Sequence, residues 1–533
     1  MTKHIFVLSA SLSGLGKGII SASLAHIIKS CGYTVTIQKF DPYYNISASN
    51  INPESHGESI PLKDGWTGDM DLLNYANFLN DPYLLEKNNS ITSGVIYDNI
   101  LTNEKQGKYL GETIQMIPHI TNEIKRYIKL FNNQYDIVIH EIGGNIKDIE
   151  ALPYIESIRQ LQYELSVNNC LICLLVYLPF LQTTQEIKTK IAQQGVESCK
   201  SLGINPDILI CRADQDFDDA IKNKLSLFTN IKSKFIIKNL NANSIYYVPS
   251  MLIKENIIPA LEYKLKLKFN YQDDPWNNII FNQCDNTVTI GIVGKYLKLK
   301  DSYISITEAL RFAGWKNNVN INIKWINAEA VNINELSESD GILIPGGFGS
   351  RGFEGKILAA KYARENNIPC LGICFGAQAM FVEFARNVLN LSDANSEEII
   401  SETKQSSNNL IVHLMEQQRN LTEMCQTLRL GDYICKLEKN SQIYNIYKKD
   451  VINIRHRHRY EFNNQYRELF TNYGMKIVGT SSYNKNDNDN ELVEIIEYDK
   501  NKFYIGIQGH PELLSTPINS EPLFDAFIRS TLV

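Results

Sequence analysis

Short apolar runs separated by helix-length segments recur through most of the 533-residue chain, and that alternation restricts its fold more than any other feature. In the first half the runs are Ile5–Ser9, Val35–Lys39, Asp136–Glu141, Cys170–Leu178 and Asp207–Cys211. Strands spaced by helices read as a parallel sheet covered on both faces. From Lys268 to Asn286 the chain turns polar and irregular, and Val288–Val293 then opens a second αβ series. The second series takes in Gly341–Pro345, a strand leading to Cys374, and Phe503–Gln508. The pattern predicts two α/β domains, 1–267 and 287–533, joined by a linker over 268–286. Residues 401–450 are polar and weakly periodic, which predicts a peripheral insertion.

A net charge of −6 gives no footing for nucleic acid. The apolar run Ile5-Phe6-Val7-Leu8 enters a glycine loop at once, unlike a secretory leader. Cys170–Leu181, the most apolar stretch, falls short of the roughly 20 residues a bilayer crossing needs. A cytoplasmic chain without membrane contact is expected. Its ten cysteines form no framework. Cys170-x-x-Cys173 lies within an apolar run without a second pair, so it reads as core strand and not as a metal or redox motif.

Chemistry concentrates at Gly372-Ile373-Cys374-Phe375-Gly376 and, far downstream, at His510-Pro511-Glu512. Ile368–Leu371 reads as a buried strand and the alanine-rich segment after Cys374 as a helix. The thiol therefore falls on a sharp strand-to-helix turn, where helix N–H groups favour the thiolate. Such a thiolate attacks a carboxamide, with His510 carrying the proton and Glu512 orienting it. The set resembles the triad of class I glutamine amidotransferases, which implies ammonia release from glutamine.

A second constellation lies at the N-terminus. Ser9-Ala-Ser-Leu-Ser-Gly-Leu-Gly-Lys-Gly18 follows a strand and precedes the helical run Ile19–Lys29, a P-loop-like arrangement for phosphate. It departs from GxxxxGK[ST], with Ser11 at the first glycine and Gly18 at the hydroxyl position. Lys39 ends the second strand, where ligands gather in such sheets. Asp69, Asp71 and Glu141 offer hard oxygens suited to magnesium.

Beyond these sites the chain resembles the CTP synthase family from end to end. The N-terminal matches include Ser13-x-Leu-Gly-Lys-Gly18, Lys39-x-Asp-Pro-Tyr43, His56-Gly-Glu58, Gln115-x-Ile-Pro-His119, Glu141-Ile-Gly-Gly144 and Lys188-Thr-Lys190. The C-terminal ones include Val293-Gly-Lys-Tyr296, Pro345-Gly-Gly-Phe-Gly349 and Arg455-His-Arg-His-Arg-Tyr-Glu461. The resemblance implies a P-loop-like, doubly wound amidoligase domain plus a class I glutamine amidotransferase domain. It implies that ATP phosphorylates O4 of UTP and that ammonia from L-glutamine displaces the phosphate to give CTP. By matching position, Gly14, Leu15, Gly16, Lys17, Gly18, Ile19, Asp71 and Arg212 would serve ATP, with Lys17 and Lys39 catalytic. Ser13, Asp148, Ile149, Glu150, Lys188, Thr189, Lys190, Gln193 and Lys224 would serve UTP or inhibitory CTP. Asp71 and Glu141 would hold Mg2+. Gly347 and Phe348 would supply oxyanion N–H groups, and Phe375, Gly376, Gln378, Glu398 and Arg457 would complete the glutamine site. GTP activation and a homotetramer are further expectations of the resemblance.

Several positions depart from the family pattern. Ser9-Ala10 replaces two glycines, which would crowd a nucleotide. Ile191-Ala-Gln-Gln-Gly195 replaces Pro-Thr-Gln-His-Ser, which loses a hydroxyl and a fixed turn beside the pyrimidine site, Lys147 replaces glycine, and Ser47-Ala-Ser-Asn-Ile-Asn52 replaces Asp-x-Gly-Thr-Met-Ser. Ile304 stands where a lysine tied to activation is common, and Gly509 replaces phenylalanine before His510, which would loosen it. These departures keep two other readings open: a scaffold or filament-forming relative without full turnover, and an amidoligase with another acceptor. The run Arg455–Arg459 reads as a ligand site for Arg457 in preference to a solvated basic face.

Overall fold

The computed structural model describes residues 1–12, 14–166, 168–272, 276, 286–419, 427–482 and 491–532. They form two compact units, one of Met1–Ser47 with Asn74–Ile280, the other of Ala48–Leu73 with Phe281–Val533.

The first unit is built on seven strands: β1 (Lys3–Ser9), β2 (Val35–Asp41), β3 (Ser90–Thr92), β4 (Ile137–Ile142), β5 (Cys170–Leu178), β6 (Ile208–Ala213) and β7 (Ile236–Leu240). Their order across the sheet is β7-β6-β5-β1-β4-β2-β3, and every neighbouring pair is parallel. Burial on both faces explains the unbroken apolar runs, since neither face can carry the polar half of an alternating pattern. Cys170 and Cys173 sit in β5 as core residues, and burial pushes the Cys170 thiol up to about 12. The chain passes from β1 over β4 to β2 and returns to add β5 on the other side of β1. Ligands in such sheets bind at the carboxyl ends of strands flanking this reversal. The helix Lys17–Ser30 leaves from that end and buries Ile20, Leu24, Ile27 and Ile28 at helical spacing. Of the predicted linker, Phe269 is buried, Lys268 accepts a hydrogen bond from the Tyr33 hydroxyl (2.9 Å), and Trp276 stacks on His26 at 4.0 Å. Positions 273–275 and 277–285 lie outside the described residues.

The second unit carries β8 (Thr287–Gly294), β9 (Asn320–Asn327), β10 (Gly341–Ile344), β11 (Cys370–Ile373), β12 (Arg429–Leu437), β13 (Val451–His458), β14 (Met475–Ser482), β15 (Glu491–Tyr498) and β16 (Tyr504–Ile507). The order is β9-β8-β10-β11-β16-β15-β14-β12-β13. The strands from β9 to β16 are mutually parallel, and those from β15 to β13 continue the sheet antiparallel. Helices Phe353–Glu365 and Phe375–Asn387 contribute to one core cluster, with Phe353, Phe375, Phe381 and Phe384 fully inside. Helices Ile304–Lys316 and Pro522–Thr531 contribute to another, around Leu310, Phe524 and Phe527.

Two features differ from the sequence reading. The predicted insertion is not peripheral: β12 pairs with β13 and β14 inside the sheet, and Leu410–Leu414 joins Asn395–Ser396 and Tyr460–Phe462 in a small second sheet. Its weak periodicity has a physical source, because Gly431 and Asp432 interrupt the apolar face of β12 to meet the segment at Lys63–Gly65. In addition, residues 48–73 pack with the C-terminal half although they precede it by more than 200 positions. Asp301 O accepts from Glu58 N (3.1 Å), and Pro53 O accepts from Ser302 Oγ (3.1 Å).

Helix Phe375–Asn387 approaches β10 closely because Gly376 has no side chain: a Cβ there would lie 1.9 Å from Ile344 O. Gly376→Ala is expected to destabilise this unit by about 1–3 kcal/mol, as overpacking commonly does, measurable as a lowered urea midpoint.

Candidate active site

Cys374 occupies the single residue between β11 and helix Phe375–Asn387, at φ 54° and ψ −110°. Its N–H donates to Ile507 O (2.7 Å) and its carbonyl accepts from Gln378 N (3.1 Å), so strand pairing and helix both end on it. Its side chain is buried and faces the residues that follow β16. The N–H of His510 donates to Arg455 O (2.7 Å), which fixes the imidazole's root. Nδ1 of His510 donates to Oε1 of Glu512 at 2.7 Å, while Nε2, also buried, has no hydrogen-bond partner. Burial opposes charge on His510, but the Glu512 carboxylate and the Cys374 sulfur outweigh it and hold its pKa well above the ordinary value. A protonated imidazole beside the sulfur is the pairing that activates a thiolate.

Cys374, His510 and Glu512 share a cavity of about 490 Å³ with Gly347, Phe348 and Arg457. The loop Pro345–Gly349 borders it: a methyl on Gly346 would lie 3.6 Å from Cys374 Cβ and 3.3 Å from His510 Cε1. Its far wall comes from residues 48–59. Arg457 donates from Nη1 to Ser59 O (3.1 Å) and from Nη2 to Ser49 O (3.0 Å), leaving a buried Nε without a partner. Glu58 also lines this wall and accepts from both Ser305 N (2.9 Å) and Ser305 Oγ (2.6 Å); burial raises its pKa to about 7. The basic run is no solvated face, for Arg455, His456 and His458 are all buried and Arg455 pairs with Asp432 at 2.7 Å. Gln378 is buried, donating to Tyr460 O (3.0 Å) with an unpartnered Oε1. Glu398 accepts from Gly349 N (2.7 Å).

In the first unit, Gly14 and Gly16 adopt φ of 75° and 89°, the left-handed turn that brings the chain from β1 into its helix. Leu15 and Gly18 are buried and Ile19 is half-buried beside them. Lys17 Nζ donates to Gly144 O (2.7 Å), drawing the loop after β1 to the loop after β4. Lys39 lies in β2 across from Glu141, 3.7 Å from Asp41, and the Tyr75 hydroxyl donates to the buried Glu141. Asp148 Oδ2 accepts from Asn145 N (2.6 Å), and Ile149 and Glu150 after it are exposed. Lys188 pairs with Glu186, whose carboxyl is held low by Lys188 and further by Lys224. Thr189 is buried, Lys190 opens the helix Lys190–Ser201, and Gln193 donates to Thr189 Oγ1 (3.0 Å). Arg212 ends in hydrogen bonds to Asn239 O (3.3 Å) and Asn241 Oδ1 (2.5 Å). Asp71 begins the helix Asp71–Leu79, its N–H donating to Asp69 Oδ1 (3.0 Å). Ser13 lies outside the described residues.

Two departures carry a different meaning in three dimensions. The Ala10 methyl points at helix Lys190–Ser201, where a Cβ on Gly195 would come within 3.0 Å of it. One replacement thus makes room for the other. Gly509 lies where a side chain has no room: a Cβ there would sit 2.0 Å from Ile454 Cγ2 and 2.9 Å from Arg455 O. Sequence reasoning missed Gln508, whose Nε2 lies 3.8 Å from Cys374 Sγ, and the fully buried Lys356. The signal for Lys356 was a lysine on the same helix face as Phe353, Ile357 and Ala360.

A cysteine held on a strand-to-helix elbow against a His–Glu pair, beside a mixed α/β sheet, defines a class I glutamine amidotransferase. Residues 298–530 match the family described as glutamine amidotransferase class-I, and residues 3–267 match the family described as CTP synthase N-terminus. The CTP synthase of Clostridium kluyveri is 46% identical, covering 100% of this chain and 98% of its own length. That of Bacteroides fragilis is 45% identical with 100% and 99% covered, and that of Aquifex aeolicus 44% with 100% and 99%. A solved structure, the glutaminase domain of Trypanosoma brucei CTPS with bound acivicin, is 35% identical over 46% of this chain and 94% of that chain, at a TM-score of 0.42. The chain belongs to the CTP synthase family.

Glu512→Gln removes the charge that raises the His510 pKa, so the imidazolium should be lost at lower pH. Alkylation of Cys374 by iodoacetamide at neutral pH should slow and glutamine hydrolysis should fall by about 10²-fold or more. Gly195→Ser should lower the midpoint of unfolding through the Ala10 clash, and adding Ala10→Gly should restore it. A double-mutant cycle in urea reads that coupling, expected at about 0.5–3 kcal/mol.

Proposed function

We propose that this chain is a glutamine-hydrolysing CTP synthase, a ligase that aminates UTP at C4 at the expense of ATP. The observation that carries the reading is the Cys374–His510–Glu512 arrangement at one cavity in a chain whose family likeness runs its full length. In the glutaminase half, the Cys374 sulfur attacks the side-chain carbonyl carbon of glutamine, with its proton held on His510 Nε2. The carbonyl oxygen gains negative charge against the N–H groups of Gly347 and Phe348. His510 then returns the proton to the leaving nitrogen, ammonia departs, and water attacks the thioester to give glutamate. Gln378, Glu398 and Arg457, beside Phe375 and Gly376, are the groups that would meet the amino-acid end of glutamine. Arg457 would do so with its unpartnered Nε, since its other nitrogens hold Ser49 and Ser59.

In the synthetase half, the turn Gly14–Gly18 presents backbone N–H groups to ATP phosphates, and Lys17 and Lys39 bear on the group in transfer. Glu141, a buried carboxylate at a strand end, and Asp71 supply hard oxygens that would hold a magnesium ion against nucleotide phosphates, where it neutralises charge. Asp148–Glu150, Lys188–Gln193 and Lys224 are the groups proposed for UTP, and Arg212 for ATP. The phosphorylated O4 leaves as phosphate when ammonia bonds to C4, so ATP, UTP and ammonia yield ADP, phosphate and CTP. Boundaries at 1–267, 268–286 and 287–533, a homotetramer, GTP activation and a cytoplasmic setting belong to the same proposal. Among the described residues no helix is long and apolar enough to cross a membrane.

The test follows UTP conversion with glutamine and then with ammonium, each with and without GTP. Cys374→Ala should abolish glutamine-dependent CTP formation by about 10³-fold or more while ammonium-dependent formation stays near wild type. A wild type that makes no CTP from either nitrogen source would overturn the reading.

A further inference from the structure

Two buried lysines stand beside the nucleophile without a role in the scheme above. Lys356, on helix Phe353–Glu365, is fully buried, and its Nζ donates to Pro345 O and to Gly346 O (3.2 Å). No carboxylate pairs with it among the described residues. Lys295, at the end of β8, is also buried, and its Nζ donates to Phe348 O and Gly349 O (3.4 Å). Burial pushes the Lys295 pKa down to about 8, and burial likewise holds Lys356 far below its ordinary value. Both ammonium nitrogens lie over the ring of Phe375, at 5.3 and 5.4 Å from its centre, directly after Cys374 in the chain.

Four carbonyls of the loop Pro345–Gly349 are thus tied to two amines, and only the Gly347 carbonyl is left out. A trans peptide points its C=O and its N–H in opposite directions. Fixing Gly346 O on Lys356 therefore turns the Gly347 N–H away from the lysine. Fixing Phe348 O on Lys295 does the same for the Gly349 N–H, which indeed reaches Glu398 Oε1 on the opposite side (2.7 Å). Gly347 itself bridges the two halves at φ 152°. A buried amine such as Lys356, with no carboxylate acting on it among the described residues, is costly where an apolar side chain of equal size would fit.

We propose that Lys356 and Lys295 form a clamp on the loop Pro345–Gly349 that turns the Gly346–Gly347 peptide, and with it the Gly347 N–H, toward Cys374, making them positioning residues for the oxyanion of glutamine hydrolysis. This rests on the glutaminase reading above. The clamp acts through backbone direction, so it serves the tetrahedral intermediate more than substrate binding, and its loss should appear in kcat with KM little changed.

The experiment uses the full chain as wild type, Lys356→Met, Lys356→Gln and Lys295→Met. Each is assayed for glutamine hydrolysis, for ammonium-dependent CTP formation and for the rate of Cys374 alkylation by iodoacetamide. Lys356→Met is expected to lower kcat for glutamine hydrolysis by about 10²-fold, the scale of one lost oxyanion donor, with KM within about threefold. Ammonium-dependent turnover and alkylation should persist, and Lys356→Gln, which keeps an N–H donor, should recover part of the loss. Glutamine hydrolysis within about threefold of wild type in Lys356→Met would overturn the clamp. So would parallel loss of both activities in Lys356→Met and Lys356→Gln, which would make Lys356 a folding residue. A wild type that hydrolyses glutamine yet makes no CTP would sink the synthase reading and leave the clamp standing on its own data.

Discussion

A non-glycine residue at φ 54° and ψ −110° costs on the order of 1–3 kcal/mol, and it persists only where its surroundings over-determine it. Cys374 is that residue, and much of the second unit can be read as the apparatus that holds it. β11 ends on its N–H through Ile507, the helix begins on its carbonyl through Gln378, and Gly376 lets that helix lie against Ile344 O. If the turn relaxed, the sulfur would leave the side of His510 on which its Nε2 has no other partner. The apolar contacts of Phe375, Met380 and Phe381 supply the energy that keeps the turn closed.

Much of this was legible in the residues before any coordinates. Glycine on both sides of Cys374, an apolar strand before it and a distant His-x-Glu specify an elbow because few other arrangements use those residue types at that spacing. The parallel sheet of the first unit is equally plain, since strands buried on both faces are mostly apolar, the polar exceptions gathering near the carboxyl ends of β2 and β4. What stayed hidden was non-local. Nothing along the chain says that residues 48–59 wall the Cys374 cavity, because the residues that line it with them are more than 230 positions away. β12 was obscured by Gly431 and Asp432, which serve a neighbouring backbone and break the strand's alternation.

The departures from the family pattern show the same limit. Read singly, Ala10, Gly195 and Gly509 suggest erosion. In the fold, Ala10 fills the space that Gly195 vacates, and Gly509 sits where the chain behind His510 has no room for a side chain. Position-by-position comparison treats each replacement as a loss; packing shows that a pair can preserve the contact that matters. Ile304 and Lys147 have no such partner in view, and nothing in the structure explains them.

The membership of residues 48–73 in the second unit has a consequence for any attempt to excise the glutaminase half. A fragment begun at β8 would lack the segment that forms the far wall of the Cys374 cavity. Arg457 would lose the two carbonyls it grips, and Ser305 its glutamate. The boundary between the two units therefore does not follow the order in which the ribosome builds the chain.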